Sequence, residues 1–156
     1  MTIEWGRAVQ ENKKEILDAW MRRSMLIFSG KMAPGSPVAD ALHQALGMVL
    51  DNCEKNSELL ASALVQLSRI LAVQDMPPSL AMSLFFELKK IILELSLKGS
   101  QKQSLKQLDP DVLQSRLEEL TLQAFDGYMV QREQICKLKL DESKRMLFMQ
   151  LRRAEA

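Results

Sequence analysis

Apolar residues recur along most of this chain at intervals of three and four, the signature of amphipathic helices. The longest such run is C-terminal. Leu113, Leu117, Leu120, Ala124, Tyr128, Gln131, Ile135 and Leu138 share one face, with Gln131 its polar member. Asp109-Pro110 opens the run: Asp accepts backbone N–H bonds as an N-cap, and Pro suits the first helical position. Gly127 is the only helix-weakening residue that follows. The pattern predicts one helix from Asp109 to Arg153, spanning ~65 Å at ~1.5 Å per residue. A domain of this size is narrower than that, so the end should project or pair with another chain.

Earlier segments repeat the pattern in shorter pieces. A first helix is expected from about Ile3 to Phe28, with Val9, Ile16, Trp20 and Ile27 on its stripe and Asn12-Lys13 interrupting it. Pro34-Gly35-Ser36-Pro37 then forces a loop. A second helix covers Val38 to Asn52, with Val38, Leu42, Ala45, Leu46, Val49 and Leu50 inward. A third runs from Ser57, its cap, to Val73 through Leu60, Leu64, Leu67 and Leu71. Pro77-Pro78 separates it from a fourth ending near Leu97, whose inner face is Ala81, Leu84, Phe85, Leu88, Ile91, Ile92 and Leu95. The polar, basic stretch from Lys98 to Leu108 reads as a mobile connection. The expected architecture is all-α, four to six helices in one domain, and the pattern leaves a simple bundle and a globin-like packing both open.

Composition narrows the function. The chain has 156 residues, enough for one sizeable core. A net charge of +1 gives no general affinity for nucleic acid or anionic membranes. No apolar run approaches the ~18 residues of a membrane helix, and no signal-peptide core stands at the start, so a cytoplasmic protein is expected. Cys53 and Cys136 have no CxxC spacing, which argues against a disulfide framework or a zinc site.

No reaction chemistry is visible. His43 is the only histidine, and no neighbour in sequence orients it as a base or as a haem ligand. Glu118-Glu119 and Asp141-Glu142 are adjacent pairs that do not share a helix face. Phosphate-loop, HExxH and GxSxG motifs are missing. No catalytic, cofactor-binding or metal-ligating residue is therefore assigned, and no cofactor is expected. Aromatic residues on the predicted helices suggest core, or else a small apolar pocket beneath Trp20, Phe85 and Tyr128. Met146, Leu147, Met149 and Leu151 crowd the end of the long helix, where the domain should have run out, and form a candidate interaction surface. Seven Lys or Arg against three acids lie between Arg132 and Arg153, yet the apolar content favours helix pairing over nucleic acid.

Three stretches carry a resemblance. They are Arg69 to Ser79 (RILAVQDMPPS), Phe85 to Lys89 (FFELK), and Ala124 to Tyr128 (AFDGY) followed by Arg132-Glu133 and Glu142. With Ile16 to Trp20 (ILDAW), they resemble the N-terminal domain of RsbRD-type proteins, the RsbT co-antagonist family. The likeness runs from about residue 10 to 150. It implies a globin-like sensory domain without haem that forms homodimers and whose last helix leads into a STAS domain. No STAS segment occurs in this sequence, so the phosphoswitch and co-antagonist activity are not carried over. Leu71 stands where the pattern has a basic residue, and Pro77 where it has a capping Ser.

The resulting expectation is a single domain over residues 1–156, of which about 138–156 is a linker-type helical extension. It would act as a stand-alone sensory and regulatory module for stress response, a homodimer signalling to an unidentified protein partner, with no catalysis, nucleic acid or membrane. The alternatives are a domain that binds a small apolar ligand and a thiol or haem redox sensor.

Overall fold

The computed structural model describes residues 5–30, 32–98 and 103–155. All regular structure in them is helical: α1 (Trp5–Glu11), α2 (Lys13–Ile27), α3 (Pro37–Asn52), α4 (Glu58–Val73), α5 (Pro78–Ser96), α6 (Gln103–Lys106) and α7 (Pro110–Glu155). Side-chain caps set three of the starts. Ser36 Oγ accepts from Ala39 N at 3.2 Å and Ser57 Oγ from Leu60 N at 3.1 Å, while Asp109 Oδ1 accepts from Asp111 N at 2.9 Å. Pro37, Pro78 and Pro110 each occupy a first helical position, where the missing N–H costs nothing.

The first α7 turns lie in the groove between α4 and α5. α3 backs α4, and α2 crosses α5 and α3. The predicted inner faces of α4 and α5 are buried in full, as are Leu113, Leu117, Leu120, Ala124 and Tyr128 of α7. Every residue from Cys136 to Glu155 is exposed, so the helix leaves the bundle just past Ile135 and continues for ~30 Å at ~1.5 Å per residue.

Four expectations need correction. The first helix is two helices. Asn12 turns the chain between α1 and α2, and its buried Nδ2 donates to Ala8 O and to Ser104 Oγ, both at 2.9 Å. The segment read as a mobile connection contains α6, and Leu105 and Leu108 from it are buried, an i, i+3 pair hidden in sequence among Lys and Gln. Val38 is exposed at the start of α3. Phe125 and Phe86 are also exposed, because both point away from the row that α7 and α5 bury. Ile3 and residues 99–102 lie outside the described residues.

Candidate functional site

The part of α7 just before it leaves the bundle is held by the turn between α4 and α5. Tyr128 is fully buried, and its hydroxyl donates to Met76 O at 2.6 Å. One turn later, Arg132 donates from Nη1 to Ala72 O at 2.9 Å and from Nη2 to Asp75 Oδ1 at 3.1 Å. Asp75 takes a left-handed backbone conformation (φ +52°), which lets the chain reverse before Pro77 and leaves carbonyls 72 and 76 facing α7. Burial pushes the Tyr128 phenol above its ordinary value, so it stays a donor. The two sequence stretches AVQDMPPS and AFDGYMVQRE, some fifty residues apart, are thus two halves of one clasp.

Close approach of the backbones is part of the same clasp. Gly127 faces Ser68 on α4, and a Cβ there would stand 2.9 Å from Ser68 Oγ. A larger residue would push α7 off α4 at the point where Ser68 Oγ reaches Ala124 O at 3.5 Å.

The other end of the buried part of α7 is tied to the α3–α4 link. Arg116 donates from Nε to Cys53 O at 2.5 Å and from Nη1 to Asn56 Oδ1 at 3.0 Å and Glu119 Oε2 at 2.7 Å. The cation therefore satisfies a carbonyl at the C-terminus of α3, where the helix dipole is negative. Cys53 is sealed beneath it. Trp5 Nε1 donates to its sulfur at 2.9 Å, and the thiol donates to Leu50 O at 3.2 Å. Burial pushes that thiol up to about 11, against the pull of Trp5 and Arg116, which makes it a poor nucleophile at neutral pH. Cys136 is exposed on the projecting part of α7. His43 is exposed on α3.

The three residues proposed for an apolar pocket do not meet at one. Trp20 is buried, with Nε1 donating to Leu84 O at 2.9 Å and its ring edge-on to Phe85 at 6.2 Å between centroids. Tyr128 is consumed by the clasp. Phe85 alone borders an apolar groove of about 260 Å³ between α5 and α7, whose other walls include Phe86, Leu117, Thr121 and Leu122. Phe86 and Leu122 were missed as rim residues because they fall off the buried rows of their helices. The usual reading of such rows discards them as solvent-facing.

Met146, Leu147, Met149 and Leu151 all lie on the projecting end and are exposed, but they do not share a face. At about 100° per residue, Leu147 and Leu151 lie on one side, and Met146 and Met149 on nearly the opposite one. Phe148, Leu138 and Leu140 add to the exposed apolar surface, and Arg152 stacks over the Phe148 ring at 5.9 Å. Among the described residues no cluster of His, Cys, Asp and Glu could hold a metal ion, and no helix is long and apolar enough to cross a membrane.

The described residues form a small all-α domain that clasps one overlong helix, whose end from Cys136 to Glu155 is exposed. Residues 14–139 match the model of the RsbT co-antagonist protein rsbRD N-terminal domain, and the chain belongs to that family. Membership implies a regulatory, sensory role in stress signalling. No curated protein and no solved structure matches the chain.

Proposed function

We propose that this chain is a cytoplasmic sensory module that regulates a protein partner by contact, with no catalysis of its own. Two copies pair through α7, and a shift of α7 against α4 and α5 carries the signal outward. The supporting observation is the exposed run from Cys136 to Glu155, in which Leu138, Leu140, Met146, Leu147, Phe148, Met149 and Leu151 are 51–68% exposed. So much apolar surface on one solvated helix calls for a protein surface to cover it. The clasp at Tyr128 and Arg132 is the pivot: rotation about it moves the free end by several times the displacement at the bundle. Light scattering tests the pairing. The full chain is expected to be a dimer and a version ending at Lys137 a monomer. A monomeric full-length chain at micromolar concentration would refute it.

A second reading, in which the module senses a small apolar molecule, is favoured by the α5–α7 groove. Its volume, about 260 Å³, exceeds that of cavities that bind benzene, ~150 Å³. A ligand there would wedge directly against α7. Titration with p-xylene, followed by the methyl NMR signals of Leu117 and Leu122, tests it, and unsaturable or absent shifts would dismiss it.

A further inference from the structure

The polar groups that line the α5–α7 groove are gathered at one end of it. Met76, just ahead of α5, meets Tyr128 on α7, whereas Phe85, Phe86 and Lys89 line the groove opposite residues between Gln114 and Leu122. The two helices therefore run in opposite directions along it. Phe86 and Leu122, 54% and 68% exposed, wall the apolar end. Lys89 lies one turn further along α5, and Glu118 and Gln114 lie one and two turns earlier along α7, so all three stand at the other end.

That end is left with one cation and one acceptor unsatisfied. Lys89 is half-buried, yet among the described residues it has no hydrogen bond or ion pair, whereas the more exposed Lys90 beside it pairs with Glu87 at 3.3 Å. Gln114 Nε2 donates to Glu118 Oε1 at 2.7 Å. A carboxylate only accepts, so it fixes which way the amide is turned. Gln114 Oε1 is left buried without a donor, which costs free energy until something donates to it. The one hydroxyl on the wall, Thr121, is already spent on Leu117 O at 2.6 Å.

We propose that the groove takes a small aromatic carboxylic acid, its ring at the Phe86–Leu122 end and its carboxylate on Lys89, and prefers an acid with a hydroxyl beside the carboxylate, which donates to Gln114 Oε1. The proposal rests on the reading of this groove as a ligand site. A ring suits walls that include two phenylalanines, because aromatic pairs gain more than the area they bury. An ammonium head would turn to Glu118 instead, but Glu118 is exposed and already accepts from Gln114, so water screens what a new partner could gain there. The hydroxy acid reaches Lys89 on α5 and Gln114 on α7 together, so it holds α7 against α5 and favours that arrangement over a shifted one.

Titrations of the full chain at neutral pH, followed by the methyl NMR signals of Leu117 and Leu122, test the class. The probes are phenylacetate, its neutral isostere phenylacetamide, its cationic counterpart 2-phenylethylamine, and mandelate, which adds only the hydroxyl. Phenylacetate is expected to bind about fivefold tighter than the amide, mandelate about fivefold tighter again, and the amine most weakly. Lys89→Met should close the gap between acid and amide, Lys89→Arg should keep it, and Gln114→Met should erase the lead of mandelate. An acid no tighter than its amide, or a gap that survives Lys89→Met, overturns the inference. An amine tighter than the acid overturns it in favour of Glu118. Mandelate no tighter than phenylacetate removes the role of Gln114. In each of these cases saturable binding of p-xylene leaves the groove standing as a ligand site; if neither p-xylene nor any of the four probes binds, both readings fall.

Discussion

Replacing Gly127 with Ala probes how tightly α7 is drawn onto α4. Taken alone, Gly→Ala in a helix interior stabilises by about 0.8–1.0 kcal/mol, because Ala loses less backbone freedom on folding. Here the new Cβ would stand 2.9 Å from Ser68 Oγ and 3.6 Å from Ser68 Cβ. The second distance is ordinary contact; the first is not. The Ser68 hydroxyl must rotate away, losing its 3.5 Å approach to Ala124 O and lying buried without a partner. That costs about 1–3 kcal/mol, so Gly127→Ala should be neutral to mildly destabilising. In a Ser68→Ala background the obstructing oxygen is gone, and the same change should recover its full gain of about 1 kcal/mol. The coupling between the two sites is therefore expected at about 1–3 kcal/mol. Equilibrium urea unfolding of all four proteins, at one protein concentration and with matched slopes, measures it. Additivity within about 0.5 kcal/mol would mean that α7 does not approach α4 this closely, and the clasp would lose its geometric basis.

Other outcomes follow from neighbouring contacts. Tyr128→Phe should cost about 1–2 kcal/mol, since Met76 O loses its donor; an unchanged unfolding midpoint would contradict the hydrogen bond. With Ellman's reagent the folded chain should expose one thiol, Cys136, and the second, Cys53, only on denaturation; a fast second reaction in the folded state would show Cys53 unsealed. Glu87 should mark the acid limb of stability. Burial works to raise its pKa, but hydrogen bonds from Arg23 and Lys90 outweigh this and hold it below the ordinary value. Its contribution is present above the unfolded-state Glu pKa and lost as pH falls through the depressed folded one. Arg23→Gln should shallow that acid limb, and an unaltered limb would count against the pair.

Sequence determined the helical class and most helix positions. Periods of three and four, Ser and Asp caps, and paired prolines act within a few residues, so no tertiary partner is needed to read them. The same holds for the length of α7, which exceeds any bundle this chain could build. It held less well at Asn12 and Leu105. Asn12 is an ordinary polar residue until Ser104, far along the chain, satisfies its amide. Leu105 and Leu108 look solvated in sequence, yet both are buried, and α6, which carries Leu105, packs against α1 and α5. The clasp was half legible: its two stretches stood out, but only packing of α4 against α7 makes Met76 O and Asp75 the partners of Tyr128 and Arg132. The aromatic trio was misjudged as a site for the same reason. Trp20 and Phe85 pack edge-on in one piece of core and Tyr128 is spent on Met76 O, and the groove that does exist is walled in part by Phe86 and Leu122, whose neighbours come from another helix. Periodicity reports which side of a helix is apolar. Which of two apolar sides meets the bundle, and which is left for a partner, is settled only where helices distant in sequence come together.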